Sequence, residues 1–269
     1  MDGVNSSNAG MNERQKPAHD SEAGRFTGPC SRFRRDHADL AKFVGFISAV
    51  VLRMDETTRI ASKALYESAD DAAEKEKYRK TMEGGAGVTK ILRRHRQLLL
   101  QMILCRGVDN YLAYVSELVA LVFRTKPETM RSNEEVRLDV VLQHDNMEAL
   151  VSSLAERRVY QLSYRGMREL SQYLSKRLRF NLFEEADTLK EAIRIIELRN
   201  IIVHNRAVVN RQFQSRVPDF PVEVGDAVKL EVDLVLSDVD FIVRSVLDID
   251  QRARQKFELP LDLEEFEPR

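Results

Sequence analysis

The stretch VTKILRRHRQLLLQMILCRGVDNYLAYVSELVALVF, Val88 to Phe123, constrains the fold more than any other part of the chain. Its apolar residues recur at helical spacing, so it reads as one helix, roughly 50 Å long at about 1.5 Å per residue. Pro127 follows as a stop, and Gly107 marks a close helix contact or a bend. A spine of this length points to a mainly α protein, a helical bundle around one long core helix. Other helical patterns flank it: Ala38 past Leu65, residues 132–141 and 146–158, and Tyr164 to Phe180. Thr188 and Glu191 form a capping-box pair opening a helix to about Val209, and Ser237 with Asp240 marks a last helix through Lys256. Two short alternating runs around Gly225-Asp226 predict a small β-hairpin within 221–236.

Four segments follow from this pattern. Residues 1–36 are polar and aperiodic, as a disordered tail is. Residues 37–82 form an N-terminal helical segment, 88–258 the main helical domain, and 259–269 a loose acidic tail. The segment EGGAGVTK, Glu83 to Lys90, resembles a phosphate-binding loop but lacks its GK[ST] ending, so no nucleotide site is expected there.

Lys and Arg number 42 against 43 Asp and Glu, so no global attraction to nucleic acid or membrane follows; any basic surface must be local. One such cluster is Lys90, Arg93 and Arg94, either a solvated helix end or a phosphate-contacting patch. The basic residues between Tyr164 and Phe180 read either as an RNA-facing surface or as a solvated face with aromatic anchors. The two cysteines, Cys30 and Cys105, make no disulfide framework or zinc spacing, so a reducing compartment is the default. The chain starts without a signal-peptide pattern, and the apolar run Phe43 to Leu52 is too short for a bilayer that takes about 20 residues. The expectation is a cytoplasmic protein with no membrane contact, no metal and no cofactor.

The stretch ELRNIIVHNRAVVN, Glu197 to Asn210, raises the question of function. An apolar helix here carries Glu197, Arg199, Asn200, His204 and Asn205. At helical spacing Glu197, Asn200 and His204 share one side, and Arg199 points roughly 140° from His204. Buried Arg, Asn and His need partners. These groups either pin a core helix or form a site. Arginine donates a planar fork suited to phosphate, and histidine exchanges a proton near neutral pH. Together they suffice for metal-free cleavage of an RNA phosphodiester.

The segment RNIIVHN resembles the R-N-x-x-x-H signature of the HEPN superfamily. Other Arg/His pairs at similar spacing occur in the chain, but only this one sits in an apolar helix with a polar residue after the Arg. The likeness extends to VDNYLAYVSELV, VVNRQF, GDAVKLEV and DIDQRARQKF, and is of the RiboL-PSP-HEPN type, over roughly Val88 to Lys256. Relatives of that type often carry Gly after the VHN segment, where this chain has Arg206 and Ala207.

The resemblance implies a helical bundle that dimerises through its motif helices and cuts RNA without a metal, as toxin–antitoxin, phage-defence or stress effectors do. It assigns Arg199 to the scissile phosphate, His204 to acid/base work, and Asn200 to orienting them. Glu197 and Asn205 are implied as further substrate-side residues. RNA, a second copy and a protein antitoxin are the implied partners. The alternatives are a HEPN-like module that binds RNA or protein without cleaving, and a structural bundle in which Arg199 faces a carboxylate within one subunit.

Overall fold

In the computed structural model, residues 24–84, 87–130 and 136–263 are described. The tail expected over 1–36 lies outside them as far as residue 23, as do 264–269. Among the described residues are ten α-helices and no named strand: α1 (Gly28–Ser68), α2 (Ala72–Gly84), α3 (Val88–Arg94), α4 (Arg96–Thr125), α5 (Leu138–Leu142), α6 (Met147–Arg165), α7 (Met167–Leu178), α8 (Ala186–Asn205), α9 (Arg211–Arg216) and α10 (Val232–Phe257). The expectation of a mainly α bundle therefore holds.

The spine is α4. One face of it, including Leu104, Val108, Tyr111, Tyr114, Val115, Leu118 and Phe123, is buried. Helix α10 lies parallel to it, pinned by Gln97, whose side chain bonds both N–H and C=O of Leu230, and by Tyr114 Oη donating to Val246 O at 3.3 Å. Gly107 is a contact glycine, not a bend: a Cβ there would lie 3.5 Å from Val239 of α10. Helix α1 runs antiparallel, with Arg32 on Glu117 at one end and Asp55 on Thr89 at the other. Helices α6 and α8 close the remaining sides of α4.

Several expectations are corrected. The long helix is interrupted at His95, which separates α3 from α4. The first helix starts ten residues earlier than expected, within the supposed tail, at Gly28. Thr27 caps it, accepting from Cys30 N–H, and donates its own N–H and O–H to the Asp250 carboxylate of α10. Cys30 and Phe33 join the main core, so the N-terminal segment is continuous with the domain instead of flanking it. The charged stretch after α1 is helix α2, as an N-terminal helical segment requires. Farther along α1, Phe43 (55%) and Phe46 (64%) are exposed, with Val50 and Met54 on the same side.

At the other end, the acidic tail is not loose through Leu263. Leu259 is buried, and Asp262 exchanges backbone hydrogen bonds with Gly24 and Phe26. Neither predicted cap forms. Helix α8 begins at Ala186 after Glu185, so Thr188 lies inside it and Glu191 pairs with Arg194 instead. Helix α10 begins at Val232 after Glu231, with Ser237 inside.

The predicted hairpin over 221–236 is absent. Its turn and the first residues of its second run pair instead with the segment after α8: Val208 bridges Ala227, Val209 N–H donates to Asp226 O, and Val228 N–H donates to Ala207 O at 2.8 Å. The rest of the second run, from Val232, becomes the start of α10. This short ladder follows a left-handed turn in which Arg206 (φ 53°) and Ala207 (φ 61°) take the backbone that glycine favours. Arg206 and Ala207 hold this left-handed backbone without a glycine, at a cost in conformational energy. Arg206→Gly is expected to raise the unfolding free energy by about 0.5–1 kcal/mol, net of the extra freedom of the unfolded chain. Urea denaturation checks this, and a loss of stability would show that the Arg206 side chain contributes more than its backbone costs.

Candidate active site

Helix α8 carries the candidate residues because it is held on two neighbours at once. Ile195, Leu198 and Ile201 bury one side of it in the core. Arg194 reaches the fully buried Asp238 of α10 and, on its own helix, Glu191. Burial pushes the Asp238 carboxyl above its usual range, against the pull of Arg194. This clamp fixes the rotation of α8 one turn before Arg199.

Beyond the clamp, α8 forms the floor of a cleft of about 410 Å³. Leu112, Val115 and Ser116 of α4, Gly166, Met167 and Leu170 at the start of α7, and Arg216 of α9 wall it in. The floor residues are Ile196, Glu197, Arg199, Asn200 and His204. The sequence-predicted Arg199, Asn200 and His204 therefore share one cavity, and His204 is exposed within reach of solvent.

Arg199 is mostly covered (21% exposed) and ion-paired through Nη2 to Asp109 of α4 at 2.7 Å. Its Nη1 donates to Asn200 Oδ1 at 3.3 Å, and its Nε is buried with no hydrogen-bond partner. Asp109 is 43% exposed, so the pair is worth about 0–1 kcal/mol and is exchangeable. The guanidinium thus meets two of the sequence expectations together: it faces a carboxylate of its own subunit, and it lines an open cleft. One turn before Asp109, burial raises the Cys105 thiol above its ordinary range, so it is no ready nucleophile.

Glu197 is bound to Arg216 Nη1 at 2.6 Å. A carboxylate does not attract phosphate, so Glu197 positions an arginine here instead of touching substrate. Asn205 spends its side-chain N–H on Val208 O at 2.6 Å and holds the turn after α8. It also lines a second recess of about 300 Å³, shared with Glu197, Asn200, His204 and Arg216. Asn210 caps α9 through Phe213 N–H and so sets the position of Arg216.

Lys90, Arg93 and Arg94 do not join the site. They stand exposed on α3, about 22–28 Å along the bundle from Asp109 at helical rise, and line neither recess. In the second basic stretch, Phe180 is buried in the core while Arg168, Lys176, Arg177 and Arg179 are exposed. Exposed cations beside a buried anchor fit both readings of this stretch, and none of the four lines either recess. Sequence reasoning missed Asp109 and Arg216, because no local pattern ties either to α8. The one available signal was that Glu197, in an apolar helix, needed a cationic partner.

Among the described residues, no three His, Cys, Asp or Glu side chains converge as metal ligands, and no helix is long and apolar enough to cross a membrane. No family model matches the chain, and no curated protein or solved structure does either.

Proposed function

We propose that this chain is a metal-independent endoribonuclease of HEPN type. The observation that carries the reading is the shared cleft: an accessible imidazole, His204, opens onto the same cavity as the Arg199 guanidinium and the Asn200 amide. The chemistry needs little more. His204 takes the proton of a ribose 2′-OH, whose oxygen attacks the adjacent phosphorus. The bond to the 5′-oxygen breaks, and that oxygen receives a proton as it leaves. Arg199 stabilises the charge on the phosphorane oxygens, where a preorganised donor acts best. The products are a 2′,3′-cyclic phosphate and a 5′-OH.

One imidazole serves as base or acid at a given moment, so a second proton carrier is needed. A symmetric dimer across the outer end of α8 supplies it as His204 of the partner subunit. Val203, half exposed beside Arg199, lies where such a seam would close. The reading carries with it a role as a toxin, phage-defence or stress effector, and a protein antitoxin as partner.

The Arg199–Asp109 pair is the contact expected of a structural bundle, and it suits equally a module of the same type that binds RNA or protein without cleaving. In that case the arginine is already neutralised and the histidine has no work. Incubating purified protein with RNA oligonucleotides in EDTA separates the two. Cleavage of RNA, with the 2′-O-methyl counterpart left intact, supports the enzyme. Binding without cleavage supports the module. Cleavage that starts only on adding magnesium contradicts the proposed chemistry.

A further inference from the structure

The cleft holds a second guanidinium that proton transfer does not use. Around α8 the floor residues run in the order Arg199, Ile196, Asn200, His204, Glu197, over roughly 160°. Asp109 meets Arg199 at one edge, and Arg216 meets Glu197 at the other. Two arginines therefore flank Asn200 and His204, each held by one carboxylate. Arg216 is 45% exposed while its Glu197 partner is only 13% exposed, so the mostly covered carboxylate holds an accessible cation at the cavity. Glu197 takes only Nη1, leaving the Nε–Nη2 edge of the fork. That edge matches two oxygens of a phosphate, the ligand for which the planar fork is suited.

We propose that Arg199 and Arg216 bind two consecutive phosphates of one RNA strand, the scissile phosphate at Arg199 and its neighbour at Arg216. Asp109 and Glu197 hold the two guanidiniums in the empty cleft. Asp109 gives way when the scissile phosphate arrives, whereas Glu197 stays bound as the positioning residue for Arg216. The inference rests on the ribonuclease reading and adds a subsite to it. It also implies that the minimal good substrate carries two phosphodiesters, not one.

Substrate length tests this. Steady-state cleavage is measured for a dinucleoside monophosphate and for a trinucleotide with two phosphodiesters, using wild type, Arg216→Gln and Arg216→Lys. Arg216→Gln is expected to raise KM about tenfold on the trinucleotide, as loss of one charge-assisted hydrogen bond does. On the dinucleotide KM should stay within about twofold, and kcat should change little on either, the pattern of lost ground-state binding. Arg216→Lys should recover part of the trinucleotide KM. A structural role would weaken both substrates alike, and that result, or no effect on either, overturns the proposal.

A binding arm uses the 2′-deoxy di- and trinucleotides, which have no attacking hydroxyl, with Kd read by calorimetry. A length-dependent loss in Arg216→Gln upholds the two-phosphate site even where wild type fails to cut RNA, in which case only the ribonuclease reading falls. Equal Kd for wild type and Arg216→Gln on the trideoxynucleotide overturns the subsite, whatever the activity.

Discussion

His204→Ala is expected to abolish RNA cleavage, lowering kcat by about 10²–10⁴-fold, the usual contribution of a positioned proton carrier. The substitution removes an exposed side chain at the end of α8, away from the buried face formed by Ile195, Leu198 and Ile201. Stability should therefore change by no more than about 0.5 kcal/mol, as for surface substitutions generally. RNA affinity should change far less than kcat, because Arg199 and Asn200 remain. Three measurements on one preparation decide it: turnover, the urea midpoint and binding of a 2′-O-methyl oligonucleotide. Turnover that persists in a folded His204→Ala variant removes the proposed acid/base and leaves binding as the function of the cleft.

The largest effect on stability is expected at Arg194. Arg194→Ala strands the Asp238 carboxylate, whose side chain is 0% exposed, next to Glu191. Removing one partner of such a pair costs about 3–5 kcal/mol, because a buried charge loses its compensation. In a chain of this size that lowers Tm by on the order of 10 °C. The deficit depends on pH. Burial already raises the folded-state pKa of Asp238, and Arg194 opposes this. Without Arg194 the folded pKa rises further above the unfolded one. The penalty is then full above the folded pKa and fades as pH falls toward the unfolded value of about 4. The double substitution Arg194→Met with Asp238→Leu should restore most of the stability. Thermal melts of the single and double variants at pH 7 and pH 5 check both points. A single-variant loss under about 1 kcal/mol at pH 7 would show that α8 does not depend on this clamp, and with it the stated reason that Arg199 and His204 face the cleft.

Much of this was legible in the sequence, for identifiable reasons. Helical spacing of apolar residues found the spine, though not its break at His95, because burial of one face leaves its period in the residues themselves. Polar groups inside an apolar helix singled out Arg199, Asn200 and His204; the covered Arg199 bears out the need for a partner, whereas His204 proves exposed. The segment Thr27-Gly28-Pro29 carried a helix-start signal. Its polar neighbours in the sequence carry no sign that Thr27 and Cys30 are buried against Asp250. Alternation around Gly225 was real, but its partner strand was the segment after α8, not its own continuation. Asp109 and Arg216 were invisible for a similar reason: each meets α8 only through tertiary packing. The Lys90–Arg94 cluster is a dense local charge that the fold leaves exposed on α3, apart from the cleft.

The account stands or falls on the bond that is broken and the group that breaks it. A labelled RNA oligonucleotide is incubated with the protein in EDTA, and the product ends are read by mass spectrometry. A 2′,3′-cyclic phosphate with a 5′-OH is the predicted pair, formed by wild type and missing with His204→Ala. Products bearing a 3′-OH and a 5′-phosphate would mean that water, not the ribose hydroxyl, attacked, and would contradict the assigned roles of His204 and Arg199.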